Sequence, residues 1–279
     1  MYLTARHLRL GSGLVLLAYI SLHLINHALG LWSLDLAERG LAISIALWQS
    51  VPGTILLYGA ALLHFVLACR TVYLRPHWRL PITEWVRLWA GLSLPLLLIR
   101  HLVGTRVAVS LFHVEPTYSH VVANLIATGT QGWQMALLAP GWLHGCLGLW
   151  IGLRRNQAIY RAKPLLICLV ALLPLLSALG FAHMSLQVEA MAGAMAAPGN
   201  AVTLAQRAAL EVWRHDLLTA YVSLIVATFV AGQVRNLVER RGSRLVNEQE
   251  PSEQGGRGLP DDGGRARCPC VANHDAANR

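Results

Sequence analysis

Six apolar stretches dominate this chain, at residues 10–32, 51–72, 88–111, 133–153, 164–186 and 217–238. A helix that crosses the hydrocarbon core of a bilayer needs roughly 20 such residues. Each stretch is uniformly apolar, without the alternation of a porin strand. Backbone polar groups cannot stay unpaired in lipid, so these segments are expected to be helices. The predicted fold is an all-α membrane protein with six transmembrane helices, occupying residues 1–238. The composition agrees, since only 13% of the residues are charged, against about 25% in soluble domains. Five cysteines in 279 residues are too sparse for a disulfide scaffold. The first stretch follows Arg6 and Arg9, is longer than a signal-peptide core, and lacks a small-residue cleavage site. It reads as a retained helix.

The charge distribution predicts an orientation. Basic residues gather before the first stretch (Arg6, Arg9), after the second (Arg70, Arg75, Arg79, Arg87), after the fourth (Arg154, Arg155, Arg161, Lys163) and after the sixth (Arg235, Arg240, Arg241, Arg244). The alternate connections carry only Arg39, Arg106, Arg207 and Arg214. The positive-inside rule then puts both termini in the cytoplasm. The expected location is a bacterial inner membrane, crossed several times. The formal net charge of +9 is therefore an orientation signal. It is not the clustered basic face of a nucleic-acid binder. Residues 239–279 change composition and carry seven acidic and seven basic side chains. The stretch 248–264 is rich in Glu, Gln, Gly, Pro and Asp, so a disordered cytoplasmic tail is expected there. No internal repeat is evident.

Ionisable residues inside a membrane are costly and mark candidate sites. Here most are histidines: His23 and His27 in the first stretch, His64 in the second, His101 in the third, His144 in the fourth and His183 in the fifth. Arg100 lies beside His101, and His215 precedes the sixth stretch. Four consecutive helices thus carry histidine, and facing helices of a bundle can direct side chains at one central cofactor. Neutral imidazole is a good axial ligand for haem iron. Two bis-histidine b-type haems are the expectation. Covalent attachment is not expected, because no Cys-x-x-Cys-His occurs.

Depth suggests the pairs. His27 and His101 each lie near one end of their helix. His64 and His144 lie six and ten residues before Arg70 and Arg154, roughly 9 and 15 Å of helix rise from the basic boundary. The expected pairs are His27 with His101 and His64 with His144. His23 is one turn from His27 on the same face and can replace it. Each histidine also has a plainer reading, as a hydrogen-bonding side chain between helices. His183 breaks the four-helix pattern and reads as structural or as part of a quinone site. His7, His77, His113, His120 and His274 fall in connections or termini and read as solvated. Arg100 and Arg106 suit haem propionates or a quinone carbonyl, while snorkelling to the interface explains Arg106 equally well. Gly30, Gly104, Gly145 and Gly148 either admit a flat porphyrin or serve close helix packing. Cys69, Cys146 and Cys168 read as small buried hydrophobes.

Four segments carry a family resemblance: HLINHALGLWSL from His23, LLHFVLACRTVYLRP from Leu62, RHLVGTR from Arg100 and WLHGCLGLWIGLRR from Trp142. They resemble the membrane anchor of certain bacterial class III adenylate/guanylate cyclases. That anchor is itself similar to the di-haem cytochrome b subunit of succinate dehydrogenase and fumarate reductase. The resemblance covers about residues 1–245. It implies a di-haem cytochrome b-like four-helix core with two further helices, and haem ligands at His27 (or His23), His64, His101 and His144. The spacing from His64 to Arg70 is similar to the His-x5-Arg of those anchors. In the cyclases a ferredoxin-like [2Fe–2S] region and a cyclase domain follow. The tail GGRARCPC, residues 263–270, resembles the start of that ferredoxin loop, but it offers only Cys268 and Cys270, and such a cluster needs four thiolates. Neither a [2Fe–2S] cluster nor cyclase activity is expected of these residues.

The leading expectation is a membrane di-haem cytochrome that exchanges electrons with quinone and serves as a redox-sensing input module. Its partners would be the lipid bilayer, quinone, a cytoplasmic redox or signalling protein and a second copy of the chain. One alternative is the quinone-reactive anchor subunit of a succinate dehydrogenase-like complex. The other is a haem-free membrane scaffold.

Overall fold

The computed structural model describes residues 2–154, 156–192 and 203–249. Arg155 and residues 250–279, with Cys268, Cys270 and His274, lie outside the described residues. In chain order the helices are α1 (Tyr2–Leu29), α2 (Leu34–Trp48), α3 (Val51–Tyr73), α4 (Ile82–Leu102), α5 (Ala108–Phe112), α6 (Tyr118–Ala127), α7 (Gln131–Leu153), α8 (Gln157–Arg161), α9 (Lys163–Ala192) and α10 (Leu204–Gln249). A π-helical turn, Val103–Val107, joins α4 to α5. No strand occurs among the described residues.

Among the described residues, six helices are long and apolar enough to cross a membrane: Ala5–Leu29, Val51–Tyr73, Ile82–Phe112, Gln131–Leu153, Lys163–Met191 and Leu204–Gly242. Between 6 and 22% of each apolar window is buried inside the protein. The remaining apolar surface needs a hydrocarbon solvent, which identifies the bilayer as the environment of these helices. The last helix runs past the expected end at residue 238 and continues to Gln249. The Arg235–Glu239 i,i+4 ion pair straddles the start of this extension, the kind of contact that supports an exposed helix. Contacts divide the chain into residues 1–234 and 235–279. The core and the sites below belong to the first unit.

Four helices form the centre. α1 packs closely on α3 and α7, and α7 packs closely on α4. α1 with α4, α3 with α7 and α3 with α4 are not among the closely packed pairs. Histidine rings meet across the first two of these pairs, which makes them the diagonals of the bundle. α9 lies against α1 and α7, where Trp142 donates through Nε1 to the carbonyl of Val170 at 2.8 Å. α10 touches α3 and α4 through Tyr221. Its hydroxyl donates to the carbonyl of Leu92 at 2.7 Å, and its ring lies 5.9 Å from Phe65.

Two short helices, α2 and α6, occupy the connections between spanning helices. Each starts at a hydroxyl cap. Ser33 Oγ accepts from Leu36 N–H at 3.1 Å, and Thr117 Oγ1 accepts from His120 N–H at 3.2 Å. Such caps satisfy backbone donors that a helix start leaves open. Glu38 of α2 accepts from the backbone N–H groups of Tyr118 and Ser119, both at 2.9 Å. The carboxylate thereby fastens α6 to α2. Ala37, Val122, Phe181 and Met184 then close a small apolar core between α2, α6 and α9.

Candidate functional site

The bundle brings five of the membrane histidines together in two groups. One group spans the α3–α7 diagonal. His64 and His144 have ring centroids 6.1 Å apart with planes at 87°. Each ring is held from behind. His144 Nδ1 lies 3.0 Å from the carbonyl oxygen of Arg87. A carbonyl only accepts, so that nitrogen carries the proton. Ser12 Oγ donates to the carbonyl of Arg9 and meets His64 Nδ1, both at 3.2 Å. With its only hydrogen committed, the hydroxyl accepts from His64 Nδ1–H. Both imidazoles are thus fixed in the tautomer whose Nε2 keeps a free lone pair. A metal-ligating histidine typically has this arrangement.

Backbone positions beside these rings are glycine for a steric reason. A methyl group on Gly91 would come within 2.6 Å of His144 Cε1, and one on Gly13 within 3.3 Å of His64 Cε1. Gly30 and Gly145, singled out by the sequence, instead meet Met184 and Leu17. They serve helix packing. Gly104 and Gly148 have open space where a side chain would go.

The second group spans the α1–α4 diagonal, toward the other end of the bundle. His23 and His101 have centroids 5.7 Å apart at 66°, and His23 lies 4.6 Å from His27. The ring that faces His101 is therefore that of His23, whereas the sequence reading ranked His27 first. His27 is turned toward α6 and α9, with Tyr118 at 5.3 Å and Phe181 at 5.8 Å. Its Nε2 lies 3.2 Å from His23 Nε2, while its buried Nδ1 has no partner. The side-chain amide of Gln134 holds His101 Nδ1. The carbonyl of His101 receives the hydroxyl of Thr105 at 2.7 Å, at the π-helical turn where the α-helical ladder is interrupted.

Along α1, Gly13 and His23 are ten residues apart, and so are Gly91 and His101 along α4. The two groups are therefore separated by about 15 Å of helix rise. The α1–α3 and α4–α7 pairs each set a glycine of one helix against a histidine ring of the other.

His183 belongs to neither group. Its Nδ1 donates to the carbonyl of Gly30 at 2.8 Å, and its Nε2 faces the amide of Gln187 at 3.4 Å. It stitches α9 to the end of α1. Arg106 lies close enough to Tyr19 to act on it by charge, and Tyr19 stacks on His23 at 6.1 Å. Arg106 thus belongs to the surroundings of the second group. Arg100 is half-buried on α4. Among the described residues its side chain makes no hydrogen bond or ion pair.

No family model, curated protein or solved structure matches this chain. The chemistry of the site has to be read from its donors.

Among the described residues no three or more His, Cys, Asp or Glu side chains converge as a metal site. A pair of imidazoles offers a metal two ligands only. Such a pair suits a cofactor that brings its own equatorial donors, as a porphyrin does. The His64–His144 site meets that requirement: two facing rings, two free Nε2 lone pairs and a diagonal without close helix contact. The sequence reading missed Ser12, Gly13, Gly91, the Arg87 carbonyl and Gln134. The triplet Gly11-Ser12-Gly13 inside an apolar stretch was the one signal available.

Proposed function

We propose that this chain is a membrane b-type cytochrome with two bis-histidine haem sites, one on His64 and His144 and one on His101 and His23. The observation that carries the reading is the His64–His144 pair, with both Nδ1 atoms tied to oxygen acceptors and both Nε2 lone pairs left free. When bound, haem b supplies a one-electron carrier. The protein's part is to bind and orient it. His64 and His144 hold it across the diagonal, Ser12 and the Arg87 carbonyl fix both ligand tautomers, and the apolar helices exclude water. Quinone is the proposed redox partner, since an electron carrier inside a bilayer exchanges most readily with a lipid-soluble one. The arginine distribution supports cytoplasmic termini in a bacterial inner membrane. The proposed output is to a cytoplasmic signalling or redox partner, as a sensing input module.

The test is spectroscopic. The full chain, purified from haem-replete membranes, is expected to show a b-type Soret band and an α band after dithionite, and to be reduced by a quinol. A haem-free preparation overturns the proposal.

A second reading has its own observation. His23 and His27 are hydrogen-bonded through their Nε2 atoms, which engages the lone pair that His23 would offer to iron. In that reading the His23–His27–His101 group is a structural network, and the chain holds a single haem.

A further inference from the structure

The basic end of the bundle carries a cavity that the histidine chemistry does not use. It is a shallow depression open to the surface, of about 330 Å³, lined by Arg9, Arg70, Thr71, Leu74, Arg75 and His77. Arg9 is tied to the wall, since its Nη2 donates to Thr71 Oγ1 at 2.7 Å. Its Nε is buried without a hydrogen-bond partner. That orphan is a donor, so the missing group is an acceptor.

The charge balance points the same way. Arg70 and Arg87 lie close enough to Arg9 to repel it. Among the described residues, Glu84 lies 3.9 Å from Arg75. An anion that sits among these guanidinium groups relieves their mutual repulsion. Guanidinium forks are matched to phosphate oxygens.

Depth selects the source of the phosphate. Trp78, Trp85 and Trp89 form a ladder beside the cavity, with centroids 6.1 and 6.3 Å apart, and Trp89 is 62% exposed. Tryptophan belts mark the headgroup level of a bilayer. Leu74 gives the cavity an apolar wall, and α3 continues from it into the exposed apolar side chains Val66 and Leu62.

We propose that this cavity binds the phosphate of an anionic phospholipid, with Arg9 and Arg70 as its principal contacts and the acyl chains laid along α3. Arginine clusters at the membrane surface attract anionic lipid at about 1 kcal/mol per side chain.

The experiment counts lipids. The full chain is exchanged into bilayers of phosphatidylcholine containing phosphatidylglycerol, extracted, and examined by native mass spectrometry. Wild type is expected to retain phosphatidylglycerol, and Arg70→Gln to retain about fivefold less. Arg70 is exposed and its replacement spares the fold, whereas Arg9→Gln also breaks the link to Thr71. Arg161→Gln, an exposed arginine outside the cavity, is expected to retain lipid as wild type does. Equal retention by Arg70→Gln and wild type overturns the proposal. So does displacement of the lipid by millimolar inorganic phosphate, which would make the ligand a soluble phosphate. Loss of haem from Arg70→Gln with unchanged lipid also overturns it, because the cavity would then serve haem propionates. The outcome is independent of the two histidine sites.

Discussion

The two histidine groups use the same residue type in different electrostatic settings. At the basic end, His64 and His144 are each anchored through Nδ1 to an oxygen and face one another. At the opposite end, His23 contacts both His27 and His101, Gln134 holds His101, and Tyr118 and Phe181 lie against His27. The first group is arranged as a ligand set. The second is arranged both as a ligand set and as a hydrogen-bonded network. The difference teaches that proximity of imidazoles is not sufficient evidence for a haem site. What distinguishes the groups is where each ring's second nitrogen is spent.

The largest effects come from removing a ring. His64→Ala and His144→Ala are each expected to remove about half of the haem, since a bis-histidine site fails without either ligand. His23→Ala is expected to remove the other half, while His27→Ala retains it. Pyridine haemochrome analysis of the purified variants measures this. If His23→Ala keeps both haems and His27→Ala loses one, the ligand assignment at the second group reverses. If neither variant changes the haem content, the network reading holds. An equal loss from His183→Ala would break the division into two groups.

A second experiment sharpens the comparison at the backbone. Gly91→Ala puts a methyl group 2.6 Å from His144 Cε1, whereas Gly13→Ala leaves 3.3 Å to His64 Cε1. Crowding of this kind costs about 1–3 kcal/mol. Gly91→Ala is expected to lose haem to an apo-globin acceptor clearly faster than Gly13→Ala. Equal rates would mean that the His144 ring is free to move away from α4.

How much of this was legible in the sequence follows from the range of each interaction. The six spanning helices were visible because lipid solvation acts on every residue of a long segment, and the apolar stretches report it directly. The histidines were visible because ionisable groups are rare there. Ser12, Gly13 and Gly91 were not, because each acts on a ring of another helix and has no periodic signature of its own. The order of His23 and His27 was equally hidden. The two lie on one face, and only α6 and α9, packed against α1, decide which ring is turned away. α2 and α6 escaped because their 15 and 10 residues are too short to register as spans. The tail expected to be disordered begins at residue 239; residues 239–249 instead continue α10, and 250–279 lie outside the described residues.

A smaller effect separates anchoring from ligation. Ser12→Ala leaves His64 in place but removes the acceptor for its Nδ1–H. Loss of such an orienting partner typically weakens metal binding by about 10–100-fold. The expected result is faster haem release and a shifted midpoint potential at one haem, with the second haem unchanged. A change at both haems would show that Ser12 acts on the bundle as a whole.

The smallest effect concerns what seals the second group. Tyr118 of α6 is 5% exposed, and its hydroxyl oxygen accepts from Asn26 Nδ2 at 2.8 Å. Burial raises its pKa, Glu38 adds to the rise, and the Asn26 bond opposes it. A phenol with a raised pKa holds its proton more tightly folded than unfolded. Its contribution to stability is therefore complete below the unfolded value, about 10, and is lost as pH rises toward the folded one. Wild type is expected to show a falling melting temperature above that pH, in detergent at constant salt. Tyr118→Phe starts lower, by about 1 kcal/mol for the lost hydrogen bond, and shows a shallower alkaline decline. Identical pH profiles would mean that the phenol is solvated and that α6 does not cover His27. The contrast between an open pair and a covered trio would then rest on Phe181 alone.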